Sequence, residues 1–481
     1  MSITAAISNA ISGLTAVSRG TEVVSSNIAN AQTPGSAARD LNISSRSLYA
    51  NGGGVHINGV TRAVPAAILA DNRVAQASFG KSNTTYEFFR TIESSIGTAD
   101  QTTSLNGLLT AFDTALAAAT ASPDAPVRLL DVANSAKGLA EKLNSISGDI
   151  STARAAADTT IANDVQRLNE SLAEVARLNR QITIAQSKGQ DASSLMDMRQ
   201  SAVDAISDIV PVQEVSRGAG QIALFTKSGA ALLDGTTPST IGFTAAPIIG
   251  PEMSVANGQL SLLTLNGEPL SSGQMALFKG GSLEANFKIR DELAPEYQSR
   301  IDAYAVDLYQ RFADPAVDPT ISAGLPGLFT DRQTALDPAA QVGFANRIQM
   351  NALVDESAGG QLWRIRDGIH AASAGDVGNS SLLNNARAAL TDRAGLATSG
   401  QTAFILATQL MSFAAANRLN SETSSQHDKS YLNSMTASLL SYGVDSDKEF
   451  ETLLQLENAY TANAKVLQAA HDMIDTILRL T

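Results

Sequence analysis

The most regular apolar pattern of the chain lies at its N-terminus. Between residues 3 and 31 apolar side chains recur every seven positions in two rows. The first row is Ile7, Leu14, Thr21 and Ile28, and the second is Ile3, Ala10, Val17, Val24 and Ala31. This spacing is typical of a coiled-coil helix, which here would be about 40 Å long. Its other faces carry Ser, Asn, Thr and Gly, so we expect the helix to need a partner helix.

A second heptad pattern occupies the C-terminal end. One row is Leu453, Tyr460, Leu467 and Ile474, and the other is Leu456, Asn463, Ala470 and Ile477. Helices at chain ends fray unless another element docks against them. We therefore predict that an N-terminal core helix, 1–32, pairs with a C-terminal core helix, 447–481, and that both contact the ends of other subunits.

The chain between these ends changes its pattern several times. The segment 33–210 is predicted to begin as an extended or hairpin region around Val55 and Ile57 and to become helical from Ala66. No proline occurs between Pro126 and Pro211. Within that span apolar residues recur every seven positions, at Ile161, Leu168, Val175 and Ile182, which predicts one long amphipathic helix. It should end at the turn Ser187-Lys188-Gly189, and a shorter helix should follow with Leu195, Met198, Val203 and Ile206 facing inward.

The remaining segments complete the predicted fold class. Short, glycine-bounded runs such as QIALFTKSGAALLDG and QMALFKGGSLEANFKIRD indicate an inserted β-rich domain over 211–290. A helical pattern returns with Ile301, Tyr304, Leu308 and Phe312, so 291–446 is predicted to be a helical domain with a loop-rich part at 314–338. The fold expected is mainly α, with long terminal coiled-coil helices, a central helical bundle and a small β-rich domain.

Composition and charge narrow the possible functions. The 481 residues are 44% apolar and 17% charged, with a formal net charge of −13. The acidic balance disfavours a nucleic-acid binder, which needs clustered Lys and Arg. The absence of cysteine excludes disulfides, thiolate metal sites and cysteine nucleophiles. The N-terminus lacks a basic region followed by an apolar run, and no stretch of about 18 apolar residues occurs, so neither a cleaved signal peptide nor a membrane span is expected.

Enzyme chemistry has little support in the sequence. The four histidines, His56, His370, His427 and His471, are scattered and none lies in HExxH or another ligand spacing. Neither a GxSxG elbow nor a phosphate-binding loop is present. We therefore expect no catalytic residue, no metal site and no cofactor, and we expect the only tryptophan, Trp363, to belong to the core.

Motifs at both ends resemble a known family. The segment Ala29-Asn30-Ala31-Gln32-Thr33-Pro34-Gly35 resembles the ANxxTPG signature near the N-terminus of bacterial flagellar rod, hook and hook-associated proteins. The run LENAYTANAKVLQAAHDMIDTIL near the C-terminus resembles the matching signature. SLMDMRQSAVDAISDIVPVQEV, residues 194–215, is similar to a stretch that usually reads LLDQRD in the hook-associated members between hook and filament. Ser36 departs from the family, which usually has Tyr there.

The resemblance implies a structural subunit of the flagellum that forms the junction between hook and filament and is needed for filament assembly. It implies an extracellular location reached by type III export without a cleaved signal peptide. The implied partners are further copies of the chain in a helical ring or tube, the hook protein, a second junction protein, and a cytosolic export chaperone on the C-terminal helix. Neither nucleic acid nor membrane is implied as a partner.

The residues assigned to self-assembly and partner contacts are the large apolar members of the two heptads. They are Ile3, Ile7, Leu14, Val17, Val24, Ile28, Leu453, Leu456, Tyr460, Leu467, Ile474 and Ile477. The family signature itself is carried by Ala29, Asn30, Thr33, Pro34 and Gly35.

Two alternatives stay open. A hook or distal-rod protein of the same superfamily is disfavoured by the long helical section and by the match at 194–215. A secreted surface enzyme or an adhesin on a helical stalk belongs to another class, and an enzyme would need a cluster of catalytic or metal-binding residues that the sequence does not show.

Overall fold

The computed structural model describes residues 3–33, 37–48, 51–391 and 400–479. The helices are α1 (Ile3–Asn30), α2 (Ala66–Ile96), α3 (Leu105–Ala121), α4 (Pro126–Ser187), α5 (Ser193–Asp204), α6 (Ser282–Lys288), α7 (Ala294–Ala313), α8 (Trp363–Asp367), α9 (Ser381–Thr391), α10 (Ala403–Leu440) and α11 (Ser446–Arg479). The strands are β1 (Arg39–Leu48), β2 (Asn51–Arg62), β3 (Val212–Ser216), β4 (Ile222–Thr226), β5 (Ala231–Asp234), β6 (Thr237–Pro238), β7 (Ile241–Gly242), β8 (Thr264–Leu265), β9 (Glu268–Pro269), β10 (Phe329–Asp331) and β11 (Ile348–Met350). The chain is therefore mainly α with small separate sheets, as predicted.

The 62-residue helix α4 is the axis of the molecule. At 1.5 Å per residue it is about 93 Å long. It begins with Pro126, whose missing N–H costs nothing in the first turn, and it ends before Gly189, which has a φ of +70°. The four residues of the predicted seven-residue row, Ile161 to Ile182, are completely buried, which confirms the long amphipathic helix.

The first hydrophobic core surrounds the N-terminal half of α4. It is built from α2, α3, α7, α9 and the start of α10, with the two-stranded sheet β10–β11 at one side. Phe112, Phe312 and Phe329 form a buried triangle with ring centroids 5.4–6.2 Å apart. The helix predicted around Ile301 to Phe312 is α7, and its four apolar residues belong to this core.

Helices α2 and α10 pack side by side along most of their length. Asn72 donates a hydrogen bond to the Thr436 hydroxyl at 3.0 Å, and at the opposite end of α2 the guanidinium of Arg418 lies 2.7 Å from Glu93. Residue numbers rise on one helix as they fall on the other, so the two helices are antiparallel. This pair connects the helical core to the elements next to the chain ends.

The second hydrophobic core lies on the C-terminal half of α4. The antiparallel sheet β3–β4–β5–β6, the smaller sheet β7–β8–β9, and helices α5 and α6 all contribute to it. In the first sheet Val212 pairs with Thr226 and Ser216 pairs with Ile222. The β-rich segment is therefore held against the same long helix that organises the first core.

Two sequence assignments in this region are wrong. The run QMALFKGGSLEANFKIRD forms a 3₁₀ turn, Gln274–Phe278, followed by α6, and not strands. Leu283 and Phe287 are four residues apart and both buried, which is the helical period. In α5, Met198 is 51% exposed, because the inward row is Arg199 and Val203.

The irregular part of the chain after α7 is longer than the predicted loop-rich segment. Between residues 314 and 380 the structure has short turns, the strands β10 and β11 and the five-residue helix α8. This stretch is nevertheless well packed, since Phe329, Phe344 and Ile348 are completely buried in the first core. Trp363 is half-buried, with the guanidinium of Arg364 4.8 Å from its ring centre.

Candidate functional site

The two terminal helices, α1 and α11, pack against each other in antiparallel orientation. Contacts recur at steps of seven residues: position 13 meets Asn463, position 20 meets Leu456, and Asn27 hydrogen bonds to Glu449. One fixed register therefore holds over at least two heptads. If it continues by one more step, Ala6 lies opposite Ala470, which is buried.

Glycine permits a close approach along this line. A Cβ built on Gly13 would lie 2.8 Å from the amide atoms of Asn463, and one built on Gly20 would lie 3.0 Å from Leu456 Cδ2. A glycine inside a helix costs about 1 kcal/mol relative to alanine. At both positions this cost accompanies tight packing of α1 on α11, because an added side chain would overlap the side chain of Asn463 or Leu456.

Asn27 joins three elements and is only 2% exposed. Its Oδ1 accepts a hydrogen bond from the Arg39 backbone N–H at 3.0 Å, and its Nδ2 donates to the Arg39 carbonyl at 2.9 Å and to Glu449 Oε1 at 2.8 Å. These bonds tie α1 to the start of β1 and to the first turns of α11. The sequence analysis did not foresee these partners, although the position of Asn27 seven residues after Gly20 was an available signal.

The hairpin β1–β2 follows α1 and rests on it. The strands are antiparallel, with Arg39 opposite Arg62 and register shifts after Asn42 and Ser45. The Ser12 hydroxyl accepts a hydrogen bond from the Val55 N–H at 3.1 Å. The hairpin expected around Val55 and Ile57 is thus present, and it covers one face of the N-terminal helix.

Asp197 connects this hairpin to α5. Its two carboxylate oxygens accept hydrogen bonds from Arg39 and from Arg62 Nε, each at 2.8 Å. Two residues further along α5, Arg199 turns inward and donates to Asn179 Oδ1 at 2.8 Å and to the Gly220 carbonyl at 2.7 Å. Burial lowers the pKa of Arg199. The stretch 194–215, which resembles the family, therefore carries a carboxylate, Asp197, that faces the hairpin and a guanidinium, Arg199, that faces α4.

A second buried cation stands close to this contact. Arg73 of α2 lies 2.7 Å from Asp204 and 2.9 Å from Glu214. Burial raises the pKa of Asp204, and the neighbouring Arg73 opposes that shift. These two ion pairs link α2 to the end of α5 and to β3, so α5 is anchored in the rest of the molecule on several sides.

The start of α11 is set by Asp445. Its Oδ1 accepts hydrogen bonds from the backbone N–H groups of Asp447 at 3.0 Å and Lys448 at 3.3 Å. A side-chain acceptor of this kind satisfies N–H groups that have no partner within the helix. Asp445 thus fixes where α11 begins, which places Glu449 beside Asn27.

The predicted assembly residues lie on both helices of the pair. Val17 and Val24 are buried, and Ile3, Ile7, Leu14, Ile28, Leu453, Leu456, Leu467 and Ile474 are half-buried. Tyr460 and Ile477 are 54% and 51% exposed. Their part in assembly remains a prediction, because a single chain does not test it.

The family signature lies partly within the described residues. Ala29 and Thr33 are exposed, and Asn30 is half-buried and donates to the Ser26 carbonyl at 2.8 Å. Pro34 and Gly35, with the variant position Ser36, lie outside the described residues.

Exposed apolar side chains are concentrated near the C-terminus. Within residues 419–478 the large exposed ones are Leu419, Tyr431, Leu440, Tyr442, Phe450, Leu454, Tyr460, Val466, Met473, Ile477 and Leu478. Clusters of exposed apolar surface mark sites of protein–protein contact. The exposed apolar surface of α10 and α11 is therefore suited to packing against further helices.

The described residues show no sign of metal binding or membrane insertion. They contain no group of three or more His, Asp or Glu placed to hold a metal ion. No helix in the ranges given above has the length and apolar character to cross a bilayer.

Comparisons with known proteins give three family matches. Residues 89–315 match the flagellar hook-associated protein FlgK helical domain. Residues 436–480 match the C-terminal region of the flagellar basal body rod FlgEFG proteins, and residues 7–35 match the flagella basal body rod protein. The two end matches cover most of α1 and α11, and the helical-domain match covers most of α4 and the β-rich segment.

Comparisons with individual proteins give several relatives. Flagellar hook-associated protein 1 of Salmonella typhimurium is 25% identical over 343 residues, which cover 68% of this chain and 61% of that protein. The Escherichia coli protein of the same name is 23% identical over 98% of this chain and 99% of its own length. Among solved structures, the flagellar hook junction protein FlgK from Burkholderia pseudomallei is similar, with 22% identity, a TM-score of 0.44 and coverage of 54% of this chain and 46% of that one.

Proposed function

We propose that this chain, which belongs to the hook-associated proteins of the flagellar rod and hook superfamily, is a structural subunit at the junction between hook and filament. One observation carries the proposal: two rod-type end segments flank a hook-associated helical domain in a single chain, and the two ends pack together through α1 and α11. A terminal helix pair attached to a separate body is suited to forming the wall of a tube.

The surface of the helix pair supports assembly with further copies. Residues flanking its contact line, such as Tyr460, Val466 and Met473, are about half exposed in the single chain. Removing apolar surface from water stabilises an interface by about 25 cal/mol per Å². Helices of neighbouring subunits that covered these side chains would therefore stabilise the assembly.

The other partners follow from the family. We propose contacts with the hook protein on one side and with a second junction protein on the other. Export would proceed by the flagellar type III route without a cleaved signal peptide, and a cytosolic chaperone would cover the apolar stripe of α11 before export. The lack of cysteine supports passage as an unfolded chain, because no disulfide can form on the way.

A deletion tests the assembly role. Cells whose protein lacks Ser2 to Ala31 should make a folded body, visible by circular dichroism, but should assemble no filament and should release filament subunits into the medium. Cells that kept normal filaments and motility with this deletion would contradict the proposal.

Point substitutions separate assembly from folding. Tyr460→Ser with Ile477→Ser changes two exposed side chains of α11, so the stability of the monomer should shift by less than about 0.5 kcal/mol while filament assembly falls. The matched control is Ile248→Ser with Val377→Ser, two side chains that are also exposed but lie outside the terminal helices. Equal motility of the two double variants would show that the α11 surface has no special role.

A further inference from the structure

A narrow joint separates two parts of the molecule. The terminal unit comprises α1, β1, β2 and α11, and the body extends from α2 to the end of α10. Only two chain segments connect them, 63–65 and 441–445. Within the described residues, the main packing between terminal unit and body is that of β2 on α5.

Cavities lie on both sides of the hairpin at this joint. One of about 900 Å³ is bounded by β2, the start of α2 and the turn between α4 and α5. Another of about 740 Å³ lies between α1, the hairpin and the start of α11. Because the first cavity lies between the hairpin and the body, the two are not joined there by a close-packed apolar core, and polar contacts fix the position of the hairpin on the body.

The polar contact at the centre of the joint is Asp197. It accepts from Arg39 on β1 and from Arg62 on β2, and the three side chains are only 11–15% exposed. The same guanidinium groups also donate to α5, Arg62 to Gln200 Oε1 at 2.7 Å and Arg39 to Ser194 Oγ at 3.3 Å. Another ion pair across the joint, Arg19 to Asp191, is longer at 3.8 Å, and the Arg19 side chain is 41% exposed. A shielded carboxylate that binds two guanidinium groups is a much stronger connection than an exposed pair.

Both sides of this contact are rigidly supported. On the body side, Arg199 of the same helix is hydrogen bonded to α4 and to the Gly220 carbonyl. On the terminal side, the backbone of Arg39 is held by Asn27, which is also bonded to Glu449. A continuous polar chain therefore runs from α11 through α1, β1 and α5 to α4.

We infer that Asp197 is a latch that fixes the orientation of the terminal unit relative to the body. Two short linkers and a joint bordered by cavities leave the angle between the parts to the polar contacts centred on this carboxylate, which is the one group that binds both arginines. The inference concerns the single chain and does not depend on the proposed function. Without the charge on Asp197, the two parts would each stay folded but would sample a range of relative orientations.

The test uses the full chain with Asp197→Asn, which keeps the size of the side chain and removes its charge. Asp113→Asn is the matched control, because Asp113 pairs with Arg387 at 3.0 Å inside the body. Because the protein has no cysteine, Ser18→Cys and Gln166→Cys can carry spin labels on α1 and α4, both at exposed positions. Double electron–electron resonance spectroscopy then measures the distribution of distances between the two spin labels. Hydrogen exchange of the backbone amides of residues 39–62 measures how well the hairpin is protected.

We expect Asp197→Asn to broaden the distance distribution about twofold, while the amides of the hairpin, of α2 and of α10 exchange as in the parent because both parts stay folded. Asp113→Asn should leave the distance distribution unchanged. A distribution for Asp197→Asn that matched the parent would overturn the inference.

A second variant guards against a general loss of folding. Arg62→Gln should broaden the distribution in the same direction, and combining it with Asp197→Asn should give less than the sum of the two effects, because both changes weaken the Asp197–Arg62 contact and only Asp197→Asn also weakens the contact with Arg39. Fully additive effects of the two changes, or loss of protection in α2 and α10, would refute a latch that acts only on orientation.

Discussion

A disulfide between positions 13 and 463 would test the register of the terminal helices. The chain has no cysteine of its own, so Gly13→Cys with Asn463→Cys gives one possible bond. If α1 and α11 pair within one chain as the structure has them, this variant should form an intramolecular crosslink when it is oxidised.

The expected geometry follows from the close approach at Gly13. A Cβ at this position would lie 3.0 Å from Cγ of Asn463. Since one carbon–carbon bond is about 1.5 Å, the two Cβ atoms can be at most about 4.5 Å apart, which is within the range of disulfides. The bond would close a loop of about 450 residues and should stabilise the pair by about 2–4 kcal/mol.

The assay is non-reducing electrophoresis of dilute monomer, followed by mass spectrometry of the linked peptides. The control pairs Gly13→Cys with Leu456→Cys, which is displaced by one heptad, or roughly 10 Å along a helix. The crosslink at 13/463 should form readily at low oxidant, and the displaced pair should stay reduced.

Two results would refute this reasoning. Crosslinking of both pairs at equal rates would mean that the helices have no fixed register in the free chain. Crosslinking of 13/463 only between molecules would mean that the contact is made by two subunits and not within one. The first result is the one expected if both chain ends are unstructured in the free monomer.

Further predictions concern the body. Gly138→Ala in α4 should raise the free energy of unfolding, measured in urea, by about 0.5–1 kcal/mol, because a Cβ at this position meets no neighbouring atom within 4 Å. Gly80→Ala should lower the free energy of unfolding by about 1–2 kcal/mol, because its Cβ would lie 2.6 Å from a backbone carbonyl oxygen of the α5–β3 connection. Arg290→Met leaves the buried Asp158 carboxylate, 2.7 Å from Arg290, without its cation, so urea unfolding should show a loss of about 3–5 kcal/mol. Burial raises the pKa of Tyr297 to about 12, so the folded state retains the phenol proton to a higher pH than the unfolded state. The free energy of unfolding should therefore fall as the pH rises from about 10 towards 12. Tyr297→Phe should reduce that fall by roughly 1–3 kcal/mol.

The sequence was sufficient where a pattern is local and repeated. The row from Ile161 to Ile182, with no proline before Pro211, predicts one continuous helix, and the structure confirms it from Pro126 to Ser187. Such periodicity follows from helix geometry alone and needs no knowledge of the partner. The same reasoning found α1, α7 and α11.

Sequence reasoning failed where contacts with residues distant in the sequence determine the local structure. Around Gly280 the glycines suggested a strand turn, but Leu283 and Phe287 form a short helix whose apolar face is buried in the second core. Likewise, Asp197 and its arginine partners are 135 and 158 residues apart, so no local pattern reveals the contact. Resemblance drew attention to this stretch without saying what its acid does.

The line of closest contact between the terminal helices was also missed, and its position bears on how subunits could meet. Heptad analysis selects large apolar residues, whereas the distance between two helices is set by the smallest side chains, here at Gly13 and Gly20. On α11 the contact line passes through Leu456 and Asn463. Tyr460 and Val466 follow these two residues at spacings of four and three, so they lie on opposite flanks of the line, and both are about half exposed. Because α1 covers only the narrow strip between them, α11 can contact further helices on both sides while its pairing with α1 stays intact.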